Sequence, residues 1–185
     1  GSSQVKYGPH TTGGVINYLS TPVPDKETFY GKFTFGSDNT ILGHAYYGNA
    51  VDTKNGRVGY LLEMHYQSTD GFRSIQGHGG QSTGFDRIEP MLKMFWEPDT
   101  ALKQRLEFKV GYTDFDADET YLGLSESDAK SNPYDRYAAT KFDNIDTFQT
   151  RSYLKWTAEP SDVLKLEATA YYNRFNRNWY KLNKV

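Results

Sequence analysis

Apolar and polar residues alternate with a period of two along most of the chain, as expected of strands that show one apolar and one polar face. Arg57 to Gln67 is the clearest case. Val58, Tyr60, Leu62, Met64 and Tyr66 point one way, and Gly59, Leu61, Glu63, His65 and Gln67 the other. Leu102 to Phe115 sets Leu106, Phe108, Val110 and Tyr112 against Arg105, Glu107, Lys109 and Thr113. Phe85 to Trp96 sets Ile88, Pro90, Leu92, Met94 and Trp96 against Arg87, Glu89 and Lys93. Thr147 to Ala158 and Val163 to Phe175 repeat the pattern, with Phe148, Leu154, Trp156, Leu164 and Leu166 opposed by Gln149, Arg151, Lys155, Lys165 and Glu167. Thr28 to Gly36 puts Phe29, Phe33 and Phe35 on one face. Thr40 to Val51 is a strand of ambiguous facing, with His44 alternating among Leu42, Tyr46 and Gly48. The pattern therefore predicts about seven strands of about 10 to 14 residues, longer than the usual soluble strand and long enough to cross a bilayer.

The connections alternate in length. Asp52 to Gly56, Glu97 to Thr100 and Glu159 to Asp162 read as short turns, the first carrying an Asn-Gly hairpin signal. Thr69 to Gly84 and Asp116 to Asp146 read as long polar loops, and Asn176 to Val185 as part of another. Up-and-down transmembrane barrels show this alternation of short and long connections. Leu92-Lys93 precedes Glu97-Pro98 at the same spacing as Leu154-Lys155 precedes Glu159-Pro160, so Trp96 and Trp156 fall near the same strand end, where an aromatic girdle would lie.

Composition agrees with an all-β chain and changes the picture in one respect. Tyr and Phe number 15 and 11, while 24% of residues are charged and the mean hydropathy is -0.74. No run of 18 apolar residues exists, which speaks against a membrane helix but not against a barrel, whose strands show lipid only alternate residues. A net charge of -2 gives no support to nucleic-acid binding. The absence of Cys removes disulfides and thiolate metal sites.

The first residues carry the most specific motif: Tyr7-Gly8-Pro9, then Gly13-Gly14-Val15-Ile16-Asn17, then Thr21-Pro22. Gly8-Pro9 is a turn pair, Val15 to Leu19 a short strand, and Pro22 and Pro24 its end. Over roughly a dozen positions with spacing intact, this segment resembles the end of the plug domain of TonB-dependent outer-membrane receptors. The resemblance implies residues 1–24 as the end of a plug and residues 25–185 as the first part of a transmembrane β-barrel of about 22 strands. It implies a bacterial outer-membrane location, contact with outer-membrane lipid, and a partner in the inner-membrane TonB complex, reached through a segment preceding residue 1. The chain is then expected to be part of a longer receptor, with Tyr7, Gly8, Pro9, Gly13, Gly14 and Asn17 marking the plug end. Alternation alone leaves other readings open: a passive porin-like channel, or a soluble β-sandwich that binds a ligand or acts on glycans.

A second resemblance lies in the long loop. Thr120-Tyr121-Leu122-Gly123-Leu124, Asn132-Pro133 and Arg136-Tyr137-Ala138-Ala139-Thr140 resemble a loop of ferric-dicitrate transporters. It implies active uptake of a ferric chelate, ferric citrate or a siderophore; cobalamin, nickel and sugar receptors share the plug signature. An anionic, oxygen-rich ligand calls for forked guanidinium donors. Arg73 and Arg136 are the leading candidates, with Tyr137, His78 and Gln81 behind them; the ordinary reading of each is a solvated loop residue, since loops are polar whatever they bind. The chelate would be cargo, and no cofactor is expected. Asp114, Asp116, Asp118 and Glu119 fail as an EF-hand, because Glu119 stands where Gly is needed and Ser125 where Glu is needed. His10, His44, His65 and His78 show no metal-ligand spacing, and His65 reads as a polar lumen residue. No Gly-x-Ser-x-Gly elbow or Cys nucleophile is present, and no catalytic residue is assigned.

Overall fold

The computed structural model describes residues 18–183. Seven long strands form one sheet: β1 (Thr28–Phe35), β2 (Ile41–Thr53), β3 (Gly56–Thr69), β5 (Phe85–Pro98), β6 (Lys103–Ala117), β8 (Asn144–Ser161) and β9 (Leu164–Tyr180). Two short strands, β4 (Ser74–Ile75) and β7 (Asp135–Arg136), pair in parallel within the loops. Spatial order in the large sheet is β1-β2-β3-β5-β6-β8-β9, and every pairing is antiparallel. This is an up-and-down meander, in which short turns alternate with long loops. It is an open sheet, with β1 and β9 at its edges.

The sequence places all seven long strands but shortens most of them, and the two-residue strands β4 and β7 lie in segments expected as loops. The strand expected at Val163 to Phe175 continues to Tyr180, through residues expected as loop. Asn176, Arg177 and Asn178 look polar enough for a loop, yet they pair in register with Phe148, Thr147 and Asp146. The loop expected from Asp116 to Asp146 is shorter and folded. It contains helix α1 (Glu126–Ser131) and a 3-10 turn at Ala138–Thr140. Ser125 caps α1, its side chain accepting from the Asp128 amide, as Ser does at an N-cap. Residues 18–27 form no strand, so the part of the expected Val15–Leu19 strand that is described, Tyr18 and Leu19, is irregular.

Turn chemistry fixes the register. The β2–β3 hairpin turns through residues 54–55, and the left-handed residue is Gly56, at φ 116°. A Cβ at Gly56 would also lie 2.1 Å from the Glu97 carbonyl oxygen, so the position excludes any side chain. Pro90 stands mid-strand, and the β5–β6 pairing is interrupted between Ile88 and Met91, where Pro90 has no N–H to give.

Register assigns every side chain to a face. Trp96 pairs with Leu106, and Leu106 with Trp156, so the two tryptophans flank one leucine in a single row at the short-turn end. Tyr60, Leu62, Met64, Met94, Trp96, Phe108 and Leu154 share this apolar face, and all are exposed; Leu62 is 54% and Phe33 72% accessible. Among the described residues no second sheet or long helix covers it. The polar face is covered where residues 18–24 lie: Lys93 is only 6% accessible there, with Leu61 and Phe95 also buried, while Arg87, His65 and Arg151 on the same face stay exposed. At Lys93 and Glu63, against bare Leu62 and Met94, burial is thus reversed with respect to a soluble sheet.

Gly56→Ala should destabilise the sheet by more than about 1 kcal/mol, since Ala is strained at positive φ even where space allows. Denaturant unfolding measures this; a change below a few tenths would contradict the turn assignment.

Candidate functional site

Two polar regions stand out, one on the covered face of the sheet and one in its long loops. On the sheet, residues 18–24 lie across β3 and β5. Lys93 donates from Nζ to the Thr21 carbonyl at 2.7 Å and the Ser20 carbonyl at 3.4 Å. Thr21 Oγ1 donates to Glu63 Oε1 at 2.6 Å. Pro24 sits on Gly48, where a Cβ would come within 2.7 Å of Pro24 Cδ. Asp25 continues the contact, its Oδ1 accepting from Arg57 Nη2 at 2.8 Å. These bonds answer a problem built into the sheet. Lys93 and Lys109 are directly opposite on β5 and β6, and like charges across a ladder repel. Main-chain carbonyls take up the Lys93 ammonium, and the Tyr153 ring lies 5.8 Å from Lys109 Nζ.

Beside this contact lie His44, Glu63 and His65. The β2–β3 register sets His44 opposite His65, and the two rings stack at 3.8 Å, 14° from parallel. Glu63 Oε1 lies 2.7 Å from His44 Nε2 and 3.8 Å from His65 Nε2. Sequence spacing could not show this group, because it arises from cross-strand pairing of two strands whose relative register was unknown.

In the loops, residues 70–84 and 118–143 are joined into one cap by the β4–β7 pair. The Ser74 amide donates to the Tyr134 carbonyl and the Gln76 amide to the Arg136 carbonyl, both at 2.9 Å. Ile75 is buried beneath them, and Phe72 meets Tyr134 edge-on. At the centre is Arg136, 3% accessible. It donates from Nε to Thr140 Oγ1 at 2.9 Å, from Nη2 to the Thr140 carbonyl at 2.6 Å and the Asp143 carbonyl at 3.3 Å, and from Nη1 to the Asp118 carbonyl. Burial pushes its pKa down, against the pull of the Asp143 and Asp118 charges. Asp143, also buried, accepts from Thr120 Oγ1 at 2.8 Å and from the Leu182 amide at 3.0 Å, tying the cap to the segment after β9.

The sequence candidates separate accordingly. Arg136 spends its donors on loop carbonyls, so its geometry is that of a loop anchor. Tyr137 is engaged too: its hydroxyl donates to Asp128 Oδ2 at 2.6 Å and accepts from the Ser125 amide at 2.9 Å, joining α1 to the cap. Arg73 is exposed, its guanidinium 5.6 Å from the Phe72 ring centre. It borders a cavity of about 360 Å³ between the two loops, with Arg136, Asp118 and Glu119 also on its wall. His78 and Gln81 lie outside that lining, on a turn where the Gln81 amide donates to the His78 carbonyl at 3.4 Å. Tyr7, Gly8, Pro9, Gly13, Gly14 and Asn17 lie outside the described residues.

The chain matches no protein-family model, no curated protein and no solved structure.

Arg136→Lys keeps the charge but loses the fork, and should open the cap alone. Hydrogen exchange of residues 118–143 should report a local loss of roughly 1.5–3 kcal/mol, with the long strands unchanged. Equal protection in the variant would contradict the anchoring role. The Tyr137 and Ser125 hydrogen bonds hold the Asp128 carboxyl below its usual pKa. The stabilisation of α1 by this group is therefore complete above about pH 4 and is lost as pH falls through the lowered folded value. Protease cleavage at Lys130 should rise over that acid range, and Tyr137→Phe should flatten the dependence; the same pH profile in both proteins would contradict it.

Proposed function

We propose that the chain is part of a TonB-dependent outer-membrane receptor that takes up a ferric chelate, with ferric citrate the specific assignment. The observation that carries the membrane reading is the reversed burial: Leu62, Met94, Trp96 and Phe108 stand bare on one face while Lys93 and Glu63 are covered on the other. Water would penalise that arrangement, and a barrel with lipid outside and a filled polar lumen requires it. Strands of 13 to 18 residues in β2, β3, β5, β6, β8 and β9 exceed the length a bilayer needs. The row of Trp96 and Trp156 fits a girdle at the short-turn interface. No helix is long and apolar enough to cross a membrane, which is silent on strands.

Residues 18–24, lying on the polar face, support the plug reading of Tyr7 to Pro24. They would be the path by which a plug stays attached to the wall that encloses it. The loop cap would form part of the ligand's entry. Its cavity balances Arg73 and Arg136 against Asp118 and Glu119, so charge there does not by itself select an anion. The choice of ferric citrate rests on the resemblance of Thr120 to Thr140 and on the exposed guanidinium of Arg73.

Two measurements test the proposal. A strain lacking the full-length gene should fail to grow with ferric citrate as sole iron source. The intact gene should restore growth, and Arg73→Ala should slow ferric citrate uptake at an unchanged receptor level; normal growth of the deletion strain would contradict the substrate. Independently, Leu62→Arg should cost about 2–4 kcal/mol in bilayer stability if Leu62 faces mid-membrane. A neutral effect would contradict the lipid-facing assignment.

A further inference from the structure

We propose that His44, Glu63 and His65 form a binding site for a divalent transition-metal ion of the Zn²⁺ type, separate from any transported chelate. Each residue offers one ligand atom, and the three atoms lie within 4.8 Å of one another. Two imidazoles and one carboxylate are a donor set that zinc and other first-row divalent ions use, with positions left open for water or an outside ligand. A tetrahedral ion bound at about 2.0–2.2 Å would hold neighbouring ligand atoms roughly 3.2–3.5 Å apart. The His44–Glu63 and His65–Glu63 separations of 2.7 and 3.8 Å bracket that value. The two rings stack 14° from parallel, so one imidazole must turn about its Cβ–Cγ bond to bring both in-plane Nε2 lone pairs onto a shared ion.

The surroundings favour a site over an incidental pair. A simple His–carboxylate hydrogen bond accounts for His44 alone. It does not account for the Nε2 of a second imidazole within 3.8 Å of the same oxygen. The backbone fixes all three groups, since His65 and Glu63 are two apart on β3 and His44 is the direct cross-strand partner of His65. Glu63 is further oriented by the Thr21 hydroxyl, the kind of outer support that metal-binding carboxylates carry. His44 and His65 also line a cavity of about 280 Å³ with Lys32 and the Arg87–Glu89 ion pair, which leaves room for a fourth ligand such as water. Because Thr21 and the ion would share Glu63 Oε1, the site lies where residues 18–24 rest on the sheet.

The test uses the full-length protein purified in detergent, stripped with EDTA and titrated with ZnCl₂ by calorimetry. The expected result is saturable binding that includes one site per chain weakened at least tenfold in each of His44→Gln, His65→Gln and Glu63→Gln, and unchanged in His78→Gln. Glu63→Gln keeps an acceptor for Thr21, so it separates loss of a ligand from loss of that contact. As a measurement on the unaltered protein, Co²⁺ should give visible absorption bands of a low-symmetry histidine-ligated ion, abolished by equimolar Zn²⁺. Absence of saturable Zn²⁺ binding, affinity unchanged in His65→Gln, or a Co²⁺ spectrum identical to that of the aqueous ion would each overturn the site.

Discussion

A buried ammonium needs acceptors, and the one on Lys93 sets the terms for the sheet around it. Its side chain projects from the middle of β5 onto a face shared with Glu63, Glu89, Lys109 and Arg151, and it finds the carbonyls of Ser20 and Thr21. An uncompensated charge at that depth would cost several kcal/mol. Something polar must therefore cover this face, and residues 18–24 do. The corollary lies on the reverse side. The same strands carry Leu62, Met94, Phe108 and Leu154 outward, and among the described residues nothing covers them. One face is covered in part by residues 18–24, and the other stands bare among the described residues, as the proposed lipid-facing assignment expects.

Much of this was legible in the sequence, because a two-residue period survives whichever medium each face meets. Val58 to Gln67 gave its two faces directly, and the alternation of short and long connections gave the meander order. Strand ends were less visible. Asn176 to Asn178 are polar on both sides and carry no period, yet the ladder with β8 holds them. Strand two was ambiguous because His44, Tyr46 and Gly48 alternate with Ala45, Tyr47 and Asn49, and neither set is clearly apolar. Only its pairing with β3 decides that His44 joins His65.

The site was legible to a smaller degree, for a physical reason. Arg136 and Tyr137 are prominent in a polar loop, and residue type alone says that they make strong hydrogen bonds. Whether those bonds go to a ligand or to the loop depends on which carbonyls the chain folds back upon. Here Thr140, Asp118 and Asp143 supply them, and Asp128 and Ser125 engage Tyr137. Arg73, with less local partnership, keeps its guanidinium at the surface. The His44–Glu63–His65 group shows the complementary case: residues 19 and 21 positions apart become neighbours only through register, and no linear spacing rule reaches them.

The central claim concerns which medium each face meets, and the chain's lack of cysteine makes a direct test simple. Single cysteines introduced in turn from Val58 to Gln67 in the full-length protein, labelled with a nitroxide and reconstituted into lipid vesicles, would report collision rates with oxygen and with chromium oxalate. The account predicts a period of two: labels at Tyr60, Leu62 and Met64 reached by oxygen and shielded from the chromium complex, and those at Leu61, Glu63 and His65 showing much weaker oxygen contact. Labels at Tyr60, Leu62 and Met64 reached freely by the chromium complex would contradict it, and would place the apolar face against water or against another protein layer.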